Sequence, residues 1–391
     1  MTRHGIVRQR KTLSIMPTYT CPAACLHCGS LSSPQERTVL PRAAILRTID
    51  EAAALGFCNV VFTGGEATLR WDDLLAGLRH ATALGLPTRL VSNAHWATSA
   101  ETAAARIEAL IAAGLCEINY STGDEHVRFI PLDRVARAIV AAVERDLPVW
   151  VVVELRKERR VTRADLEAHE LIAGLPAGQR ALLTIYEGPW MPLDPGMVER
   201  YEPGLAVDRE NLPGRTGCDS VLQTYTLQAD GRIAACCGIG QRLIPELTVG
   251  RAEGEGALAA AMTAAEGDLL KLWIRYLGPE KLLEWARQRD PSIAWEGRYA
   301  HHCQACARVY RDPQVARLVR EHYAEMVAPI IEAAWLDECE LPKRLRRQPR
   351  NVDARNADGG PGEGAGPARA PLPGPIPAAV PDASCGRRPR P

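Results

Sequence analysis

The chain lacks net charge, long apolar runs and internal repeats. Forty-seven Lys+Arg offset 47 Asp+Glu over 391 residues, so no overall basic excess points to nucleic acid. No 18 consecutive apolar residues occur, which argues against a membrane-spanning helix. The basic N-terminal stretch, Met1 to Lys11, is followed by no apolar h-region and does not read as a secretory signal. No self-similarity recurs at a period of 20–50 residues, which excludes a solenoid. What is present is average for a globular chain: 46% apolar and 24% charged residues. That excludes a chain disordered throughout, a coiled coil and a collagen-like repeat. The length suits two or three domains, or one large barrel with an attachment. Twelve cysteines stand out. In a long chain without a signal peptide they read as metal ligands or reactive thiols rather than a disulfide framework.

The composition changes near Lys343. Residues 343–391 hold ten Lys+Arg against four Asp+Glu, so the rest of the chain is net −6. The segment is rich in Pro, Gly and Ala, has too little apolar side chain to offset its ordering entropy, and reads as a disordered tether or tolerated tail. The first two hundred residues instead alternate strand and helix signals. Runs rich in β-branched residues lie at Thr12–Pro17, Asn59–Thr63, Thr88–Asn93, Glu117–Ser121, Pro148–Leu155 and Ala181–Tyr186. Helical stretches separate them at Pro41–Leu55, Trp71–Leu84, Ser99–Ala113 and Leu132–Arg145. This repetition implies βαβ units and a parallel sheet, either a partial barrel or a doubly wound sheet. In both, reactive residues belong at the C-terminal ends of strands and in the loops that follow.

The first such loop reads Cys21-Pro-Ala-Ala-Cys25-Leu-His-Cys28. Three thiols within eight residues can wrap one corner of a metal cluster and leave one iron open. A zinc site, which usually closes with four protein ligands, and three unligated thiols are the alternatives. The second strand ends in Thr63-Gly64-Gly65-Glu66, where two glycines permit close backbone approach to a ligand and a carboxylate follows. A lone Gly-Gly-Glu is more often a turn.

Placed one strand–helix unit after CxxxCxxC, that segment makes the sequence resemble the radical S-adenosylmethionine (SAM) superfamily over about Thr12 to Tyr186. The resemblance implies a partial (β/α)6 TIM-like barrel over residues 1–200. It implies that Cys21, Cys25 and Cys28 hold a 4Fe–4S cluster whose open iron is chelated by SAM, with Gly64, Gly65 and Glu66 at the methionyl amino group. His27 stands where the family usually has an aromatic residue. Ser92 and Asn93, ending the third strand, and Ser121, ending the fourth, occupy positions suited to SAM's carboxylate or ribose. Glu154 and Arg156 end the fifth strand, where polar SAM contacts also occur. Each of these could equally be a helix N-cap or a solvated loop end. Asp124, Glu125 and His126 form an acid/base or metal trio, or the first turn of a helix that favours negative charge there.

A second block begins at Gly217-Cys218 and runs through an Asp230-Gly231 turn to Cys236-Cys237, a β-hairpin pattern with thiols near both ends. His301-His302-Cys303-Gln-Ala-Cys306 follows much later. Cys218, Cys236, Cys303 and Cys306 supply four thiolates, enough for a further cluster or a zinc ion, which ligation alone does not separate. Twelve residues, a glycine and four residues stand between Cys218 and Cys236. This spacing resembles the start of the SPASM and twitch extensions that bind auxiliary 4Fe–4S clusters. It implies a single such cluster in a hairpin-plus-helix domain over 201–342, with the tail at 343–391. Asp268–Arg287 reads as a helical insertion with a packing role. Cys237 is left over, as a spare ligand, a buried thiol, or a hydrogen donor of the kind some radical SAM peptide epimerases use. Cys58 and Cys116 read as small core fillers, Cys339 as inert or an alternative donor, and Cys385 as a tail thiol.

The resemblance implies reductive SAM cleavage to a 5′-deoxyadenosyl radical and hydrogen abstraction, with flavodoxin or ferredoxin as electron donor. The substrate expectation is a peptide or peptide-like natural product, epimerised or cross-linked. The alternative is a sugar, aminoglycoside or other small metabolite. A non-catalytic metal scaffold is the third reading, and requires both motifs to be chance. Only twenty residues precede Cys21, too few for the leader-binding domain of many peptide maturases. The substrate is therefore expected to be small, caught by the second half, or brought by a separate delivery protein. Oxygen-sensitive clusters and reduced ligands imply the cytoplasm.

Overall fold

Six short strands rich in Val, Ile and Thr alternate with Ala- and Leu-rich helices, and each strand pairs with the one before it. The computed structural model describes residues 11–191, 199–238 and 241–338. The order is β1 (Thr12–Ile15), α1 (Arg42–Ala54), β2 (Asn59–Phe62), α2 (Trp71–Ala83), β3 (Thr88–Ser92) and α3 (Ala100–Ala112). There follow β4 (Leu115–Thr122), α4 (Asp124–Val127), α5 (Leu132–Val143) and β5 (Val149–Leu155). Three short helices, α6 (Arg163–Ala168), α7 (Glu170–Ala173) and α8 (Ala177–Arg180), lead to β6 (Leu183–Pro189). All neighbouring pairs from β1 to β6 are parallel and in chain order. A doubly wound sheet reverses its strand order at a switch point. None occurs here, so the expected partial (β/α)6 barrel is the one that forms.

The sheet does not end at the barrel. β7 (Thr224–Leu227) pairs parallel to β1, then β8 (Arg232–Ala234) and β9 (Thr248–Arg251) add antiparallel. The nine-stranded order is β6-β5-β4-β3-β2-β1-β7-β8-β9. The sheet therefore runs on across the expected boundary at residue 200. The β7–β8 hairpin turns at Asp230-Gly231, with Gly231 at φ +81, a left-handed conformation that glycine adopts without strain. Six helices complete the second half: α9 (Ala257–Glu266), α10 (Leu269–Tyr276), α11 (Pro279–Arg289), α12 (His302–Arg311), α13 (Pro313–His322) and α14 (Ala324–Glu338). The helical insertion expected over Asp268–Arg287 consists of two helices. Gly278 at φ +93 and Pro279 at the first helical position end one and start the next. They pack through Trp273 and Trp285, edge to face at 4.8 Å. Among the described residues no helix is long and apolar enough to cross a membrane. The tail from 343, Cys339 and Cys385 lie outside the described residues.

One face of the barrel sheet carries Leu13, Ile15, Val60, Phe62, Leu90, Ile118, Tyr120 and Val151, all fully buried against Ile45, Leu74, Leu78, Ile107 and Ile139 of the helices. Side chains alternate across a strand, so Ser14, Asn59, Arg89, Glu117, Asn119, Trp150 and Tyr186 face the lumen. Barrel lumens are ordinarily filled by branched apolar side chains; here Val61, Val91 and Val152 share that face with these polar and aromatic groups.

Gly77 shows how closely the helix layer sits. Alanine there would gain about 1 kcal/mol of helix propensity. Its Cβ, however, would lie 2.6 Å from Phe62 Cζ, and overpacking costs about 1–3 kcal/mol. Gly77→Ala should therefore lower stability in denaturant unfolding, by up to about 2 kcal/mol. Gly178→Ala in α8, with open space around it, should leave the midpoint unchanged or slightly raised.

Candidate functional site

The loop from β1 to α1 carries the first three thiols over the C-terminal ends of the barrel strands. It is tied down by backbone: Gly65 N–H donates to Thr18 O at 2.9 Å and Glu66 N–H to Thr20 O at 2.9 Å. That pairing explains the two glycines. A Cβ at Gly65 would fall 2.3 Å from Thr20 O, and one at Gly64, whose φ is +121, 2.8 Å from Thr18 O. At both glycines the backbone is in close contact with the cysteine loop. Glu66 is buried. Its Oε1 accepts from Thr68 N–H, Thr68 Oγ1 and Ser92 Oγ (3.2, 2.6 and 3.0 Å), and its Oε2 from Asn93 N–H at 2.9 Å. Ser92 also accepts from Trp96 Nε1 at 3.0 Å, so its hydroxyl is used up in positioning. Asn93 Nδ2 donates to Cys21 Sγ at 3.5 Å. Cys28 Sγ lies 3.3 Å from Ser30 Oγ and accepts from Ser32 N–H at 3.3 Å.

Burial pushes the Cys21 and Cys25 thiols up to about 12, and neighbouring sulfurs add to the effect. Bare thiolates are costly in such a place, and a bound metal centre is what makes them favourable.

A polar network borders this loop at the ends of β4 and β5. Glu154 Oε1 accepts from His126 Nδ1 at 2.6 Å and Oε2 from Glu125 N–H at 2.9 Å. His27 Nε2 lies 3.5 Å from the same Oε1, and burial pulls the His27 pKa down to about 4. Glu125 takes Leu26 N–H at 3.2 Å and pairs with Arg128 at 3.0 Å and Arg156 at 3.6 Å. Arg156 stacks over Trp190 at 4.4 Å. Asp124, Glu125 and His126 form the first turn of α4, the second of the two readings, and Asp124 accepts from Arg160 and Val161 N–H. Ser121 ends β4 half-buried, on the lumen face. Both oxygens of Glu154 are therefore engaged within the protein. The role of Asn93 toward Cys21 and the place of Trp190 had no sequence signal. His126 gained its meaning only when β5 placed Glu154 beside it.

The second thiol set gathers at the opposite, N-terminal end of the strands. Thr224, where β7 starts, pairs with Thr12, where β1 starts. The antiparallel β8 returns the chain there, with Thr226 Oγ1 donating to Cys236 O at 2.8 Å. Cys303 and Cys306 lie about one turn apart at the start of α12, which His301 caps by accepting from Cys303 N–H at 3.1 Å. Cys218, Cys236, Cys303 and Cys306 face one another: burial, then the other sulfurs, raise the Cys218 thiol to about 12 and push Cys236 and Cys306 upward. A Cβ on Gly238 would lie 2.7 Å from Cys303 Sγ. Cys237 differs in being exposed, with its Sγ 3.2 Å from Ser220 Oγ. It is close enough to feel the charge of Arg89 in the lumen. Between the two thiol sets, Arg89 pairs with Glu117 at 2.9 Å and Trp150 meets Tyr186 edge to face at 6.1 Å. Buried Ser14 Oγ, Asn59 Oδ1 and Asn119 Oδ1 have no hydrogen-bond partner.

Residues 15–155 match the Radical SAM superfamily. This segment, β1 to β5, is a radical SAM domain, and its cofactors are SAM and a 4Fe–4S cluster. The PqqA peptide cyclase of Rhodopseudomonas palustris is 27% identical over 230 residues, covering 53% of this chain and 57% of that protein. The PqqA peptide cyclase of Bradyrhizobium diazoefficiens is 31% identical over 224 residues, with the same coverage of each. The chain thus spans a little over half the length of these curated relatives. A crystal structure of Streptococcus suis SuiB bound to S-adenosylmethionine aligns with 57% of this chain and 60% of its own, at 17% identity and a TM-score of 0.35.

The glycine contacts yield a paired expectation. Gly65→Ala should displace the first thiol loop and Gly238→Ala should push Cys303 out of the second set. Each should lower iron retained per chain after anaerobic reconstitution by about half. Iron analysis of both variants beside the parent checks this, and an unchanged value in either removes that glycine's role.

Proposed function

We propose that the protein is a radical SAM enzyme that abstracts a hydrogen atom from a peptide substrate and carries an auxiliary 4Fe–4S cluster in a twitch-like extension. The observation that carries this is the placement of Cys21, Cys25 and Cys28 over the Glu66–Ser92–Asn93 network at the C-terminal mouth of the barrel. Cys21, Cys25 and Cys28 would hold the first cluster, and Cys218, Cys236, Cys303 and Cys306 the second. When bound at the first site, the cluster supplies an electron to SAM's sulfonium, and homolysis gives methionine and the 5′-deoxyadenosyl radical that takes the hydrogen.

The residues of the chain divide the remaining work. Glu66 is held by neutral donors, so its charge is left to attract SAM's methionyl ammonium. Ser92 and Asn93 hold that carboxylate in place, and Asn93 also donates to Cys21. Ser121, at the lumen rim, is the candidate for SAM's ribose or carboxylate. Arg156 lies on Trp190 and bounds the cofactor space with Glu154. The lumen, with its unpartnered Ser14, Asn59 and Asn119, would take the substrate between the two thiol sets. The relatives named PqqA peptide cyclase favour a peptide, cross-linked or epimerised, over a sugar or other small metabolite. An electron donor such as flavodoxin or ferredoxin, and a separate delivery protein for the peptide, complete the proposal.

The reconstituted enzyme should contain about eight irons per chain. Cys21, Cys25 and Cys28 replaced together by Ala should abolish 5′-deoxyadenosine formation under reducing conditions. Persistent formation would sink the central assignment. The exposed position of Cys237 favours it as a hydrogen donor to a substrate radical. In D2O, product from an epimerisation should carry deuterium at the inverted centre. Cys237→Ala should lose that product while 5′-deoxyadenosine still forms. If the variant inverts and deuterates the substrate at the parent rate, Cys237 is not the donor.

A further inference from the structure

Three side chains from separate elements converge beside the first thiol loop: His27 from the loop itself, His126 from α4 and Glu154 from the end of β5. One ligand atom of each lies within 4.8 Å of the others, and among the described residues this is the one group of His, Cys, Asp or Glu that does so. Glu154 is clamped through Oε2 by Glu125 N–H at 2.9 Å, which turns Oε1 toward both imidazoles. A hydrogen bond from His126 Nδ1, at 2.6 Å, satisfies that oxygen. His27 is not explained by it. Its Nε2 lies 3.5 Å from Oε1, and its Nδ1 is buried without a partner. The two imidazole rings meet edge-on at 5.4 Å.

We infer that His27, His126 and Glu154 form a divalent transition-metal site, distinct from both thiol sets. Two imidazole nitrogens and one carboxylate oxygen are a donor set that zinc, manganese and ferrous iron accept. Ligand bonds of about 2.0–2.2 Å require His126 and Glu154 to part by roughly half an ångström and the two imidazoles to draw in around the ion. The ion takes the place of the proton they share, and that proton passes to the other ring nitrogen of His126. A single carboxylate leaves the ion with net positive charge and open positions. Those positions suit an anionic or hydroxyl oxygen at the barrel mouth, and a peptide carboxylate is the group that the proposed function would bring there. The metal site does not depend on that function, since it is read by binding alone.

Mn2+ is the probe, because it prefers nitrogen and oxygen ligands over thiolates and so leaves the cysteine sets alone. Anaerobically reconstituted full-length enzyme is titrated with Mn2+, and free ion is followed by its EPR signal. One ion per chain should bind. His27→Phe, which keeps a ring of similar shape, and Glu154→Gln should each weaken binding by about tenfold or more, with iron per chain unchanged. Iron content and 5′-deoxyadenosine formation in the same samples separate a failure of this site from a failure of the radical SAM assignment. Absence of binding tighter than about 1 mM, or equal affinity in parent and both variants, would overturn the inference.

Discussion

Two backbone hydrogen bonds hold the rest in place. Gly65 and Glu66 donate to the carbonyls of Thr18 and Thr20, so the end of β2 is laced to the loop that carries the first three thiols. The lacing is possible only because neither Gly64 nor Gly65 has a side chain. Once the loop is fixed, Glu66 is delivered into a buried position where Ser92, Asn93 and Thr68 satisfy it. Asn93 then reaches back to Cys21. A buried carboxylate left without such donors would be strongly unfavourable. The network is therefore cooperative: the loop, the carboxylate and the end of β3 are positioned together or not at all.

The lumen differs in character from the outer layer. On the helix side the sheet is sealed by Leu, Ile, Val and Phe. On the inner side it presents an ion pair, two aromatic rings and several polar atoms without partners. Burying unsatisfied polar groups costs stability, so this face trades stability for the ability to hold something polar. The two thiol sets lie at its two ends, the first after β1 and the second where β7 begins, β8 returns and α12 starts.

Much of this was legible in the sequence. The β-branched runs marked all six barrel strands because each is short, bounded by Gly or Pro, and buried on the helix side. The cysteine spacings marked both thiol sets because their ligands must be close in space, and local chain geometry makes some of that closeness visible. The choice between barrel and doubly wound sheet was not legible. It depends on the direction in which each crossover adds its strand, and periodicity carries no such information. The helical character of the insertion was legible, and Gly278-Pro279 is the stop-and-start signal that divides it. Residues 124–126 form the first turn of α4, one of the two readings, and tertiary contacts take Asp124 to a loop backbone and His126 to Glu154. Contacts such as Asn93 to Cys21, seventy-two residues apart, leave no trace in a single sequence.

The parallel pairing of β7 with β1 bears on how the molecule can be divided. β1 lies inside the sheet, between β2 and β7, and it leads directly into the cysteine loop. A fragment cut after the barrel would leave β1 as a bare edge, with a row of open backbone donors and acceptors ready to recruit another strand. The second half thus shields the strand from which the first half's chemistry begins, and dissection at residue 200 trades a covalent boundary for a sticky one.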